Sequence, residues 1–151
     1  MLLTEIQTKT AEGFTFLYGE EVLNPADIPA TGQKLMDGLQ DLVQQAFIEI
    51  VNDAVWTYEP IGDMMTLKAG FPVRAETKVV KPFFVEIVPE WQCLSALYTG
   101  PMDHIKEAWA EMYAEVHTRG LKPASEFREI YRVWVDFGSD ENVTELQVRL
   151  K

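Results

Sequence analysis

One carboxylate stands inside an apolar stretch that has the alternation of a β-strand. The stretch reads FREIYRVWVDF and runs from Phe127 to Phe137. Successive side chains of a strand point to opposite faces. Glu129 therefore shares its face with Tyr131, Val133, Val135 and Phe137, and the other face takes Arg128, Ile130, Arg132, Trp134 and Asp136. A carboxylate shielded from water without a partner has its charged form disfavoured, so it becomes a proton donor or acceptor, or a counter-ion for a bound cation.

Three interpretations of Glu129 are open from the sequence. It is solvated at the fraying start of the strand, or it forms a structural ion pair with a lysine or arginine from elsewhere. In the third interpretation it lines a partly dry aromatic cavity that receives a cationic or hydrogen-bonding ligand. Aromatic faces attract a hydrophobic cation through apolar burial and through the ring quadrupole. The residues that would supply these faces are Tyr58, Phe71, Trp109 and Tyr131.

Length and charge limit the class of protein. A chain of 151 residues, 47% of them apolar, is the size of one domain, so a single domain over residues 1–151 is expected. The formal charge of −11 argues against direct binding of nucleic acid and favours a lipophilic cation. The single cysteine, Cys93, excludes an internal disulfide. No apolar window has the length of a membrane span and the N-terminus lacks the pattern of a signal peptide, so a cytoplasmic protein without membrane contact is predicted.

The sequence offers little other chemistry. His104 and His117 are thirteen positions apart on one predicted helix, which places them on different faces and argues against a metal pair. No cysteine or histidine cluster has zinc spacing, and no glycine loop suits a phosphate. Neither a metal nor a cofactor is therefore predicted.

The order of elements indicates an internal repeat. A strand in EGFTFLYGEEV precedes a helix with an apolar stripe from Leu35 to Ile50 and an expected N-cap at Thr31, followed by a hairpin, AVWTYEP and MMTLKAGFPV, turning at residues 61–63. FFVEIVP and WQCLSALYTG then form an extended pair. A helix in DHIKEAWAEMYAEVHTRG, capped by Asp103 and closed at residues 119–120, leads to a second hairpin, EIYRVWVDF and TELQVRL.

The repeat predicts two half-modules, at about residues 1–76 and 77–151. Three residue pairs align at an offset of about 75 to 80 residues, namely Tyr18 with Tyr98, Ile28 with Ile105 and Tyr58 with Tyr131. Each half is too small to bury its sheet alone. The halves are therefore expected to associate about a pseudo-two-fold axis, and the seam between them is where a pocket would form.

The segment from Val88 to Tyr131 resembles the second half of the gyrase-inhibitor-like (GyrI-like) effector-binding domain. The resemblance rests on a strand closing at Tyr98-x-Gly100, an amphipathic helix through Trp109 and Tyr113, Gly120-Leu121, Glu129-x-Tyr131 and a last strand opening at Thr144. The first half fits through YGEEV and LKAGFPV, so the resemblance covers essentially the whole chain. TELQVRLK lacks the proline that often closes the family pattern, and the chain carries no helix-turn-helix segment, so direct DNA binding is not expected.

The resemblance implies an α+β fold of two β-α-β-β modules, with an antiparallel sheet, two helices on one side and a ligand groove between the halves. It implies that Glu129 faces lipophilic cations, that Tyr131 is a wall residue, and that Ile105 and Trp109 look into the groove. Some stand-alone relatives hydrolyse small strained or electrophilic compounds with a glutamate and an aromatic residue. Others protect or inhibit DNA gyrase as protein partners.

Three functions follow as hypotheses. The leading one is a stand-alone binding domain for flat apolar or cationic molecules, which acts as a sensor or sequesters them. The second is a hydrolase with Glu129 as general base or acid and with Trp109 or Tyr131 holding the substrate. The third is a protein that binds a partner such as gyrase through its acidic surface. Whether the protein is an enzyme is left open by the sequence.

Overall fold

The computed structural model describes residues 2–78 and 80–151. Within these residues the strands are β1 (Leu3–Ala11), β2 (Phe14–Leu23), β3 (Val55–Ile61), β4 (Met64–Val73), β5 (Phe84–Val88), β6 (Trp91–Thr99), β7 (Pro123–Val133) and β8 (Val143–Leu150). The α-helices are α1 (Ile28–Ala46) and α2 (Ile105–Thr118), each preceded by one turn of 3-10 helix.

The chain folds into two compact units. The first unit, Glu12–Glu90, has the antiparallel strand order β3-β4-β2-β5, with α1 packed on β2 and β4. The second unit, residues 2–11 and 91–151, has the antiparallel order β1-β6-β8-β7, with α2 packed on β6 and β1. Each unit contains one β-α-β-β sequence, β2-α1-β3-β4 or β6-α2-β7-β8, so the predicted α+β fold with antiparallel pairing is confirmed.

The units do not follow the predicted half-modules of residues 1–76 and 77–151. Strand β1, which the sequence analysis does not predict, pairs with β6 and so completes the sheet of the second unit. Strand β5 pairs with β2 in the first unit, whereas β6 pairs with β1 and β8, so the expected extended pair of β5 with β6 does not form. Each β-α-β-β sequence is thus extended by a strand from the other half of the chain.

Helix α1 begins earlier and ends earlier than its apolar stripe predicts. The Asn24 side chain accepts a hydrogen bond from the backbone N–H of Ala26 at 3.0 Å and starts a 3-10 turn that leads into the helix at Ile28. Thr31 is therefore inside the helix, and its prediction as N-cap is wrong. Ile50 lies beyond the end of the helix and forms an isolated bridge to Val73. A proline in the first turn explains the early start, since proline favours that position.

Helix α2 places one buried stripe on the sheet of the second unit. Ala108, Met112 and Val116 pack with residues of three strands, β1, β6 and β8, in one core cluster, whose strand members are Leu3, Leu94, Ala96, Tyr98, Leu146 and Val148. Asp103 lies in the preceding 3-10 turn rather than at the N-cap, which is His104. The predicted end at residues 119–120 is confirmed, since Gly120 has φ +67°. Neither helix is long and apolar enough to span a membrane, as far as the described residues go.

Of the three residue pairs aligned between the repeats, the pair of Tyr18 with Tyr98 is wrong, because the two side chains lie on different faces of their sheets relative to the helix. A side chain at Gly19 would meet Leu35 of α1, so the neighbouring Tyr18 points away from the helix. Tyr98 instead belongs to the core that packs on α2. The alignment of Ile28 with Ile105 agrees with the structure, because each is the first residue of its helix.

Close packing between α1 and β3 generates a first prediction. A Cβ atom on Gly32 would overlap the ring of Trp56. Gly32→Ala should therefore lower the free energy of unfolding by about 2 kcal/mol through overpacking, although alanine favours a helix. Urea unfolding measures this. In a Trp56→Leu background, where the overlap is removed, the same substitution should stabilise by about 1 kcal/mol. A loss of stability of equal size in both backgrounds would contradict the overlap as the cause.

Candidate ligand-binding site

Strand β7 holds Glu129 at its centre. The pairing of β7 with β8 is regular from Phe127 to Tyr131 and is interrupted on either side of this stretch. Glu129 is opposite Leu146 and therefore faces α2, and only 5% of its surface is exposed. The interpretation of a solvated residue at a fraying strand end is wrong.

Two neutral side chains donate hydrogen bonds to the Glu129 carboxylate. Trp109 of α2 donates from Nε1 to Oε2 at 2.8 Å, and Tyr131 donates from its hydroxyl to Oε1 at 2.6 Å. Hydrogen bonds to a charged group contribute roughly 1.5 to 3 kcal/mol each, which offsets part of the cost of burying the charge. Glu129, Trp109 and Tyr131, all predicted from the sequence, thus lie in direct contact.

Aromatic rings extend to both sides of the carboxylate. The ring of Phe127 lies edge-on to Trp109 at 4.9 Å between centroids, and Tyr113 lies within 6.2 Å of both rings. On the other side, the ring of Trp134 lies edge-on to Tyr131 at 5.6 Å. We call Phe127, Trp109, Tyr131 and Trp134 the aromatic row; Glu129 lies at its middle.

The opposite face of β7 is also buried, but by charged residues. The guanidinium of Arg128 stacks on Trp91 at 3.7 Å from the ring centroid, and its Nε donates to Oε1 of Gln147 at 2.7 Å. Burial lowers the pKa of Arg128 to about 10. The arginines beside Glu129 therefore point away from it, as alternation predicts, and Arg128 fixes β7 against β8 at the position next to Glu129.

Glu145 of β8 is the centre of this second cluster. Its carboxylate is bound by Lys9 at 2.8 Å, Arg132 at 2.8 Å, Ser95 at 2.8 Å and Gln147 at 2.5 Å. Burial alone would raise the pKa of Glu145, but the four hydrogen bonds outweigh it and hold the pKa at about 2. Four strands, β1, β6, β7 and β8, are therefore tied together through one carboxylate.

The remaining predicted residues lie in different places. Ile105 packs against the core cluster beneath α2, as does Trp109. Tyr58 on β3 and Phe71 on β4 are both buried in the first unit, and their membership of the ligand site stays a prediction.

Two members of the aromatic row, Phe127 and Trp134, are missing from the residues predicted to bind ligand. Phe127 carries the signal of alternation, since it is two positions before Glu129 on the same strand face. Trp134 is predicted on the opposite face, and that prediction is wrong. The interruption of pairing after Tyr131 breaks the alternation, so that the indole ring lies beside Tyr131.

Two other features of the described residues bear on where a ligand or a metal could bind. A pocket of about 420 Å³ lies in the first unit, between residues 46–49 and the segment that follows β4, and none of its lining residues belongs to the aromatic row. No group of three histidine, cysteine or acidic side chains in the described part of the chain is placed to hold a metal ion.

The two β-α-β-β sequences and their antiparallel pairing define the class of the protein as an α+β domain. The particular family follows from the sequence, because the GyrI-like small molecule binding domain matches residues 4–151. The chain therefore belongs to the GyrI-like family, as the resemblance of its second half indicates.

Solved structures with the same fold have diverged far in sequence. The C-terminal domain of EcmrR is 17% identical with a TM-score of 0.82, over 100% of this chain and 99% of that one. The structure of EcmrR in complex with DNA matches 100% of this chain at 17% identity, with a TM-score of 0.83. The match spans only 58% of the EcmrR chain.

Two further structures resemble the chain. SAV2435, solved with tetraphenylphosphonium, is 14% identical with a TM-score of 0.76, over 98% of this chain and 94% of that one. A hydrolase from Listeria innocua is 12% identical with a TM-score of 0.59, and the match covers 97% of this chain and 91% of the hydrolase chain. No curated protein is significantly similar in sequence. At these low sequence identities the similarity shows only that the fold is shared.

The cluster around Glu145 generates a prediction about pH. Its pKa falls from an ordinary value of 4.5 to about 2 on folding, so it stabilises the protein above pH 4.5 and this contribution is lost as the pH falls towards 2. Glu145→Gln should lower the free energy of unfolding at pH 7 by about 3 kcal/mol. Chemical denaturation at several pH values should show that the difference in the free energy of unfolding between wild type and Glu145→Gln shrinks as the pH falls from 4.5 to about 2.

A matched control is Glu126→Gln, which removes a carboxylate paired with Arg149 at 2.7 Å nearer the surface. An ion pair of this kind contributes less than about 1 kcal/mol, so this variant should stay close to wild type at pH 7. A difference between wild type and Glu145→Gln that stays constant from pH 7 to 2 would contradict the role given to Glu145.

Proposed function

We propose that the chain binds flat lipophilic cations through Glu129, Trp109 and Tyr131, and acts as a sensor of such compounds or sequesters them. The observation that carries the proposal is a carboxylate, 5% exposed, held among aromatic rings by two neutral hydrogen-bond donors. Neutral donors orient a carboxylate without cancelling its charge. A cationic ligand would be attracted to this carboxylate and to the rings around it.

The two hydrogen bonds also favour a particular kind of cation. Each oxygen of Glu129 already accepts a hydrogen bond, one from Trp109 and the other from Tyr131. A protonated amine gains most from a carboxylate by donating its own hydrogen bonds, and here it would have to approach along lone-pair directions other than the two that Trp109 and Tyr131 occupy. A quaternary ammonium or phosphonium ion needs no such bond, and it gains from the charge and from burial against the rings.

The chain as a whole suits a cationic ligand. Its formal charge of −11 attracts cations at long range and raises their rate of association. The related SAV2435 has been solved with tetraphenylphosphonium, a cation of the class proposed, which supports the choice of probe.

The proposal predicts that Glu129→Gln weakens the binding of tetraphenylphosphonium by about tenfold or more, since the amide keeps the shape of the side chain but loses its charge. Isothermal titration calorimetry measures the affinity, and circular dichroism checks the fold. A matched neutral compound, tetraphenylmethane bearing a solubilising polyether, should bind the two proteins about equally. Equal affinity of wild type and variant for the cation would contradict the role of Glu129.

The control variant is Glu107→Gln, which removes an exposed carboxylate near His104 on α2. It changes the net charge by the same amount, so it separates the local effect of Glu129 from the field of the whole protein. Its affinity for the cation should fall by less than about twofold, as expected for a screened surface charge.

The integrity of each compound after incubation distinguishes binding from hydrolysis. Mass spectrometry of mixtures in which the compound is in large excess should recover it intact. Steady conversion of a strained or electrophilic compound that Glu129→Gln abolishes would instead assign Glu129 the role of general base or acid.

A further inference from the structure

The indole ring of Trp134 is held in an exposed position beside the proposed site. Trp134 is the first residue after β7, and 48% of its surface is exposed. Its ring lies edge-on to Tyr131 at 5.6 Å, and Tyr131 in turn donates a hydrogen bond to Glu129 at 2.6 Å. A tryptophan half exposed to water at the end of a row of aromatic rings is an unusual use of the residue, because burial of its large apolar surface is favourable.

The position of Trp134 is set by the backbone and not by strand alternation. Alternation from Tyr131 would direct residue 134 to the opposite face, towards the cluster around Glu145. The pairing of β7 with β8 shifts register between Tyr131 and Val133, and this irregularity lets the Trp134 ring reach Tyr131. Irregularities of this kind commonly redirect a side chain next to a functional site.

The segment that follows Trp134 is tied down by a buried amide. The side chain of Asn142 is fully buried, accepts a hydrogen bond from the backbone N–H of Val135 at 2.9 Å and donates to the carbonyl of Asp136 at 2.6 Å. The backbone N–H of Met102 donates to the carbonyl of Phe137 at 2.8 Å. The chain on the far side of Trp134 is therefore fixed by three hydrogen bonds, while the apolar side chains of Trp134, Val135 and Phe137 remain about half exposed.

We propose that Trp134 forms the outer wall of the ligand site and makes the site selective for cations that carry aromatic rings over alkyl cations of similar size. This inference rests on the proposed function. A ring fixed beside the site without being covered by protein presents its surface to a ligand at little cost in side-chain entropy. Contacts between aromatic rings add free energy beyond the area that they bury, and an alkyl chain does not gain this addition.

Two probes separate these contributions. In tetraphenylphosphonium and tetrabutylammonium the charge lies behind four substituents, so a phenyl ring of the first and an alkyl chain of the second would contact Trp134. Trp134→Leu retains an apolar side chain and removes the ring. It should weaken the binding of tetraphenylphosphonium by about five- to tenfold and that of tetrabutylammonium by less than about twofold. Isothermal titration calorimetry measures both affinities.

The control is Phe137→Leu, which also replaces an exposed aromatic ring of the same segment by leucine. Phe137 is exposed to a similar extent, 50%, and its described contact is made by its backbone carbonyl. This variant should keep both affinities within about twofold of wild type. Circular dichroism should show the native fold for both variants, since neither side chain is buried.

The outcomes separate this inference from the proposed function. Loss of affinity for both cations in Glu129→Gln, together with selective loss for tetraphenylphosphonium in Trp134→Leu, supports both. If Trp134→Leu changes the two affinities equally or not at all while Glu129→Gln lowers both, the wall role of Trp134 is overturned and the proposed function stands. If the wild type binds neither cation, the proposed function is overturned and the wall role with it.

Discussion

The second unit is organised around the buried side chain of Glu129, which is 5% exposed. Removing a carboxylate from water costs several kcal/mol unless polar groups replace the lost hydration. At Glu129 the indole N–H of Trp109 and the hydroxyl of Tyr131 do this, one for each oxygen. Because one donor comes from α2 and the other from β7, the two bonds also join the helix to the strand. The same carboxylate thus fixes the orientation of both Trp109 and Tyr131.

On the opposite face of the same strands, a second buried carboxylate, that of Glu145, is stabilised by charged partners. Glu145 is bound by Lys9 and Arg132, and Arg128 is covered by the ring of Trp91. A carboxylate paired with cations contributes to stability and has little attraction left for a ligand. The two faces of the β7–β8 hairpin therefore carry two buried carboxylates whose described partners differ, since those of Glu145 include cations and those of Glu129 are neutral donors. Strand alternation brings about this separation, since Arg128 and Glu129 are adjacent in the chain and point in opposite directions.

The sequence predicts the elements of each β-α-β-β module and names Glu129, Trp109 and Tyr131 as candidate site residues, but it does not predict the exchange of edge strands. LTEIQTKTA, the sequence of β1, alternates threonines and charged residues with few apolar ones, as an edge strand does, and gives a weak signal. Which strand it joins is decided by pairing across about ninety residues, as with Leu3 and Tyr98, and no local pattern encodes that. Strand alternation places Trp134 on the wrong face for a related reason. A single shift in register reverses the face of every later residue, and the shift depends on the fit of two strands and of the segment that joins them.

Comparison of equivalent positions in the two modules shows how one repeat becomes specialised. The fifth residue of α1 is Gly32 and that of α2 is Trp109. On the strand below, two positions before the aligned tyrosines Tyr58 and Tyr131, the first module has Trp56 and the second has Glu129. In the first module the indole ring comes from the strand and covers the bare backbone of the helix at Gly32.

In the second module the indole comes from the helix and ends on a carboxylate of the strand. Both arrangements join helix to sheet through one tryptophan. Only the second needs a charged residue beneath the helix, and a charge kept there against its desolvation cost is a property that selection for stability alone does not favour. The described join between helix and strand is therefore a packing contact in the first module and a hydrogen bond to a carboxylate in the second, and this carboxylate is the group to which the proposed function assigns the ligand.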